Sequence, residues 1–187
     1  MKYFLDTEFI ESGPGAPIWL LSIGMVAEDG RELYYVNTDA PLADANPWVR
    51  ENVLPRLPLS RPGYPYEFAP LAVIAGRVQD FCAGWESFMI KLRRDGAPNP
   101  DITPPEFWGY YCDYDWVVLC QMFGAMVDLP HGWPMYCRDV KQWADELGNP
   151  KLPEQKTAEH NALYDARWNR DAYTFLKIEQ AKRWGSR

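Results

Sequence analysis

Met1-Lys2-Tyr3-Phe4-Leu5-Asp6-Thr7-Glu8-Phe9 ends a short apolar run with two carboxylates spaced two residues apart. Residues 2–7 read as a buried strand, and on a strand side chains at i and i+2 point to the same face. Asp6 and Glu8 therefore emerge side by side at a strand end. Two such charges repel unless a cation lies between them. Hard oxygen donors of this kind suit Mg²⁺ or Mn²⁺. A lone D-x-E triplet arises often by chance, so its meaning depends on what the rest of the chain adds.

Working outward, Ile18 to Val26 reads as a second strand, and Glu28-Asp29-Gly30 signals a turn into a third, Arg31 to Asn37. These three form a meander. Residues 38–69 are Pro-rich, with a short helix expected over Pro47 to Val53. Pro70 to Cys82 places apolar residues at three- and four-residue intervals, as a helix does. Residues 83–105 are poorly patterned and carry the basic group Lys91, Arg93 and Arg94. Further on, the pattern predicts a strand over Phe107 to Cys112 and a helix over Asp113 to Met126. A short strand over Met135 to Arg138, a helix over Asp139 to Leu147 and a long helix over Asn161 to Arg183 follow. A meander succeeded by alternating helices and strands implies an α/β fold around one mixed sheet.

With 187 residues, 47% of them apolar, the chain suits a single domain, 1–187, with a full core. No stretch approaches the roughly 20 apolar residues that cross a bilayer, so a soluble, cytoplasmic protein is expected. The four cysteines, at 82, 112, 120 and 137, form no C-x-x-C pair. They read as free, largely buried thiols rather than zinc ligands. A net charge of −7 argues against a broad basic surface for long duplexes. It leaves the processing of chain ends open, because clustered catalytic carboxylates add negative charge that metals offset.

Two distant segments add to the opening pair. In Trp108-Gly109-Tyr110-Tyr111-Cys112-Asp113-Tyr114-Asp115-Trp116, Asp113 falls where a helix cap is wanted and Asp115 lies in the first helical turn. Either aspartate has a reading as a simple helix-start device. In His160-Asn161-Ala162-Leu163-Tyr164-Asp165-Ala166, five residues of helix separate two side chains by about 140°. His160 is accordingly expected on the loop before the helix and Asp165 inside it. That gives a mobile base near solvent and a fixed carboxylate behind it.

The order D-x-E, aromatic–Asp, H-x4-D resembles the DEDDh group of the DEDD 3′–5′ exonuclease superfamily. The motifs are Asp6-Thr7-Glu8, Tyr114-Asp115 and the run from His160 to Asp165, and they span most of the chain. The resemblance implies an RNase H-like fold, with helices flanking a sheet of a three-strand antiparallel meander plus parallel strands. It also implies hydrolysis of nucleotides from 3′ ends. It selects Asp115 over Asp113, since the family's aspartate directly follows an aromatic residue. It likewise selects His160 over His131, which reads as part of a surface turn. Two departures stand out. Phe9-Ile10-Glu11-Ser12-Gly13 replaces the Thr-Gly common after the first motif, and Tyr111 and Cys112 stand where an Asn is usual. These point away from the proofreading and oligoribonuclease branches. The chain looks more like the polyadenylate-specific exoribonuclease branch (RNase AS type).

On that resemblance the catalytic set is Asp6, Glu8, Asp115, His160 and Asp165. The expected scheme has two Mg²⁺ or Mn²⁺ ions, with Asp6 bridging, Glu8 and Asp165 completing one and Asp115 holding the other, and His160 as general base. Phe9, Trp19 and Trp116 are candidates for stacking on bases, an interaction worth about 1–3 kcal/mol that tolerates any sequence. The expected partners are single-stranded RNA 3′ ends, with DNA as an alternative and adenylate tails as a plausible preference. A homodimer is also expected, because relatives of this group often pair. The reading from a different class is an RNA-binding module on the same fold that has lost catalysis.

Overall fold

The computed structural model describes residues 1–58, 67–82, 104–156 and 159–184. Six strands form one mixed sheet among these residues, in the spatial order β4-β3-β2-β1-β5-β6. They are β1 (Lys2–Glu11), β2 (Ile18–Ala27), β3 (Glu32–Asn37), β4 (Glu67–Ala69), β5 (Glu106–Gly109) and β6 (Arg138–Asp139). β1, β2 and β3 run antiparallel as the expected meander, while β4, β5 and β6 add parallel to their neighbours. Among the described residues five α-helices accompany them: α1 (Pro47–Asn52), α2 (Leu71–Cys82), α3 (Asp113–Gln121), α4 (Val140–Glu146) and α5 (Ala162–Trp184). The α/β, RNase H-like architecture is as expected.

Alternation along β1 sorts the core. Tyr3 and Leu5 point into a cluster with Ile74 and Val78 of α2 and Trp116 and Leu119 of α3. Phe4 points the other way, into a cluster with Ala162, Leu163, Ala166 and Tyr173 of α5. Ile10 continues that second face, packing with Val49 and Val53 beneath the Pro-rich excursion. Each large apolar side chain so enclosed stabilises the fold by about 1.5–3 kcal/mol. Asp6 and Glu8 therefore lie on the α5 face and Thr7 on the α3 face. None of the described helices is long and apolar enough to cross a membrane.

Gly24 decides how closely α5 approaches. It pairs with Asp6 across β1–β2, and a Cβ built on it would lie 2.2 Å from the backbone carbon and oxygen of Ala162. The first turn of α5 thus rests directly on sheet backbone. Asn169 then donates to the Leu5 carbonyl at 2.9 Å, fixing the helix along β1.

Several local expectations need correcting. β4 has no counterpart in the sequence reading, because three residues after a Pro-rich stretch give no periodicity. β5 ends at Gly109 rather than Cys112, since Tyr111 takes a left-handed conformation (φ 53°) that leaves the sheet. The cap of α3 is Cys112, without a side-chain cap bond, and Asp113 is already helical. α3 stops at Gln121 rather than Met126, and Gly124 (φ 120°) turns the chain away. β6 starts at Arg138, where parallel pairing with Trp108 begins. Asp139 does open the next helix: its Oδ1 accepts from the amides of Lys141 and Gln142. The cysteines are unpaired, three of them buried and Cys137 partly so. The basic group Lys91, Arg93 and Arg94 lies outside the described residues.

Candidate active site

The α5 face of β1 carries Asp6 and Glu8 to where the first turn of α5 presents Asp165. Their carboxylate oxygens lie within 4.8 Å of one another. Asn161 starts that turn as a cap, its Oδ1 accepting from the Tyr164 amide at 3.3 Å. Its own amide donates to Asp165 Oδ2 at 3.1 Å. Gln155 Nε2 donates to the other oxygen, Oδ1. One carboxylate is thus oriented from two sides before any ligand arrives.

Asp115 reaches the site from the opposite face. It lies in the first turn of α3 and is buried. Thr7 donates to its Oδ1 twice, through the amide at 2.8 Å and the hydroxyl at 2.6 Å. The residue between the two carboxylates of the opening triplet therefore fixes the third. Strand alternation carries enough information to have found Thr7, because it must face away from Asp6 and Glu8.

Four carboxylates in a partly closed space raise one another's affinity for protons. Burial, reinforced by Asp165 and Asp115, pushes Glu8 up to about 8. Asp6 is raised well above the usual carboxylate range by burial, with Asp115, Asp165 and Glu8 adding to it. Burial also lifts Asp165, against the hydrogen bond from Gln155. Asp115 is pushed up to about 6 by burial, against the bonds from Thr7 that favour its charged form. Arg56 offers Glu8 a partial offset. An all-oxygen donor set with this much unbalanced charge fits hard divalent cations.

The carboxylates line a cleft of about 360 Å³ that also takes in Phe9, Trp48, Tyr114 and His160. A second opening of about 380 Å³ shares Asp6, His160 and Asp165 and continues past Tyr110, Gln155 and Trp168. His160 precedes α5, as its spacing predicts, with a left-handed backbone (φ 65°). Its ring meets that of Trp48 edge-on, with centroids 5.1 Å apart. A larger cavity, of about 500 Å³ between Trp108, Arg138 and Lys177, contains none of the expected catalytic residues.

A model of the 3′-5′ exoribonuclease Rv2179c-like domain matches residues 1–176. The chain belongs to this family. It is 40% identical over 167 residues to 3′-5′ exoribonuclease Rv2179c of Mycobacterium tuberculosis strain H37Rv. The match covers 89% of this chain and 88% of that protein. The same figures hold for 3′-5′ exoribonuclease MT2234.1 of M. tuberculosis strain CDC 1551. Membership of this exoribonuclease family agrees with the DEDDh resemblance of the three motifs.

All five of the expected catalytic residues surround one cleft. The expected base contacts divide. Phe9 lines that cleft and stacks on Tyr114 at 5.7 Å with planes 9° apart. Trp19 is on β2, half-exposed and paired with Ile10, and lines neither opening. Trp116 is withdrawn as a base contact: it is 7% exposed and packs on Phe107 in the core. An indole one residue beyond Asp115 lies about 100° around the helix, which turns it inward. Trp48, Arg56 and Gln155 had no sequence signal, because each reaches the site from a loop or a one-turn helix.

Proposed function

We propose that the protein is a metal-dependent 3′–5′ exoribonuclease that removes nucleotides from single-stranded RNA ends, with adenylate tails as a favoured substrate. The observation that carries this reading is the convergence of Asp6, Glu8, Asp115 and Asp165 on one cleft with His160 at its rim. Asp6, Glu8 and Asp165 would hold one divalent ion, and Asp6 with Asp115 the second, as Mg²⁺ or Mn²⁺. Bound there, two such ions supply activation of the attacking water and charge relief on the leaving oxygen.

The chain's own residues do the rest. Gln155 and the Asn161 amide hold Asp165 in one orientation, and Thr7 does the same for Asp115. His160 accepts the proton of the attacking water, the role of a general base within reach of that water. Phe9 and Tyr114 form an aromatic wall for the terminal base, which favours purines through ring area. The cleft is short and the chain is acidic, so it accommodates a strand end better than a duplex. Free thiols suit a reducing, cytoplasmic setting. Val127, Met135 and Tyr136 are more than half exposed and offer apolar surface of the kind that a homodimer covers.

The test is a time course on end-labelled oligo(A), oligo(U), oligo(C) and matched DNA, with Mg²⁺, Mn²⁺ or EDTA. The expected result is metal-dependent shortening from the 3′ end, fastest on oligo(A). His160→Ala should lower turnover by about 10²–10⁴-fold, and Asp6→Ala should abolish it. Preference for DNA would move the substrate assignment. Binding without cleavage in either metal would replace the enzyme with a binding module.

A further inference from the structure

His160 has a backbone conformation that non-glycine residues seldom adopt, with φ at 65°. Such a residue keeps that conformation only when its surroundings enforce it. Two side chains of the Pro-rich excursion touch this turn. Trp48 of α1 sets its ring edge-on to the imidazole at 5.1 Å. Arg56, just after α1, donates from Nη1 to the carbonyl oxygen of Glu159 at 3.1 Å. One holds the side chain of the turn and the other its backbone.

The excursion is itself anchored to the strand that carries the carboxylates. Asn46 caps α1 by accepting from the Val49 amide at 2.9 Å and donates from Nδ2 to the Glu11 carbonyl at 3.3 Å. Val49 and Val53 are buried against Ile10 and Leu21. Arg50 ties the preceding loop together through the carbonyls of Ala45 and Ala43. A continuous mechanical path thus runs from the end of β1 through α1 to His160.

We propose that Trp48 and Arg56 are positioning residues that hold His160 in register with the carboxylates, so that the excursion is part of the catalytic apparatus rather than a surface loop. The inference rests on the reading of His160 as general base. It makes the excursion's contribution one of rate. Losing either contact lets the turn relax and lowers the fraction of molecules with the imidazole in place.

The experiment uses the full chain and compares Trp48→Leu, Trp48→Phe, Arg56→Met, Arg56→Lys and His160→Ala. Each of Trp48→Leu and Arg56→Met should lower kcat on saturating oligo(A) by about tenfold, a loss of the size that misplaced catalytic groups cause. Trp48→Phe keeps a ring and Arg56→Lys keeps a donor, so both should recover most of that loss. A second readout needs neither metal nor substrate. The chain has two histidines, and His131 lies in an exposed turn. In the metal-free protein the ring-proton NMR signal of His160 should shift in Arg56→Met, which leaves the Trp48 ring in the protein, while that of His131 stays in place and reports an intact fold.

A higher KM with kcat unchanged in both variants would make Trp48 and Arg56 substrate contacts and overturn the proposal. So would an unshifted His160 signal. Slow His160→Ala with fast Trp48→Leu and Arg56→Met would defeat this inference alone. Fast His160→Ala would remove the general-base reading and this inference with it.

Discussion

The two sides of the cleft are built by opposite rules. Asp6, Glu8, Asp115 and Asp165 stand on the central strand or in first turns of helices, and Thr7, Asn161 and Gln155 restrain the oxygens of Asp115 and Asp165. The other side is His160 with Trp48, Arg56 and Tyr114, drawn from a turn, a one-turn helix and exposed positions. The difference matches the two tasks proposed for them. Groups that gather charge must be fixed, because small displacements between carboxylates change their repulsion steeply. A group that takes a proton from water must meet solvent, and so is held by fewer and weaker contacts.

That contrast can be broken most severely at Gly24. Gly24→Ala places a methyl group where the backbone of Ala162 already lies, so α5 must lift away and carry Asp165 with it. The expected cost is about 3 kcal/mol of stability, together with a large loss of Mn²⁺ affinity. Urea unfolding and calorimetric titration of the ion measure the two effects. If stability and affinity both stay near those of the unsubstituted protein, the close seating of α5 is not what assembles the site.

A change of pH separates the two sides without mutation. Glu8 in the folded, metal-free protein keeps its proton up to about 8, whereas in the unfolded chain it ionises near 4.5. Between those values the folded state binds more protons, so stability falls as pH rises through that window. Asp6 and Asp165, also raised, act in the same direction. The expected decline in metal-free protein is about 3 kcal/mol or more from pH 5 to pH 8. Saturating Mg²⁺ should flatten or reverse it. A thermal melt series across that range, with and without the ion, checks the sign. Stability that rises with pH in EDTA would contradict the crowding of these carboxylates.

The smallest effect sharpens the comparison within the rigid side. Thr7→Val keeps the shape and strand preference of Thr7 but deletes its hydroxyl bond to Asp115, leaving the amide bond. Stability should drop by about 1 kcal/mol. The affinity of the site for Mn²⁺ should fall by about 10-fold or more, as when other second-layer partners of ligands are removed. His160 ring signals should stay unchanged, since Thr7 supports only the carboxylate side. Unaltered ion affinity would show that the amide bond alone orients Asp115.

Much of the rigid side was legible in the sequence. Period-two alternation put Asp6 and Glu8 on one face. The five-residue interval set His160 before α5 and Asp165 within it. The meander and the order of later helices gave the fold class. Errors gathered where local patterns are short or conformations uncommon: β4, the end of β5 at Tyr111, the cap at Cys112 and the end of α3. Trp116 misled for a different reason. Its neighbour Asp115 lines the cleft, yet one step along a helix faces elsewhere.

By itself, then, the sequence determined which faces the carboxylates share and which motif residues belong together, because side-chain direction follows from local backbone period. Only the tertiary structure decided that Asp165 meets Asp6, that Thr7 grips Asp115, and that Trp48 reaches His160 and Arg56 the adjoining Glu159. Those pairings join residues 103 to 159 positions apart. They depend on where bare backbone, as at Gly24, lets one element come close enough to another, and periodicity within a segment carries no record of that.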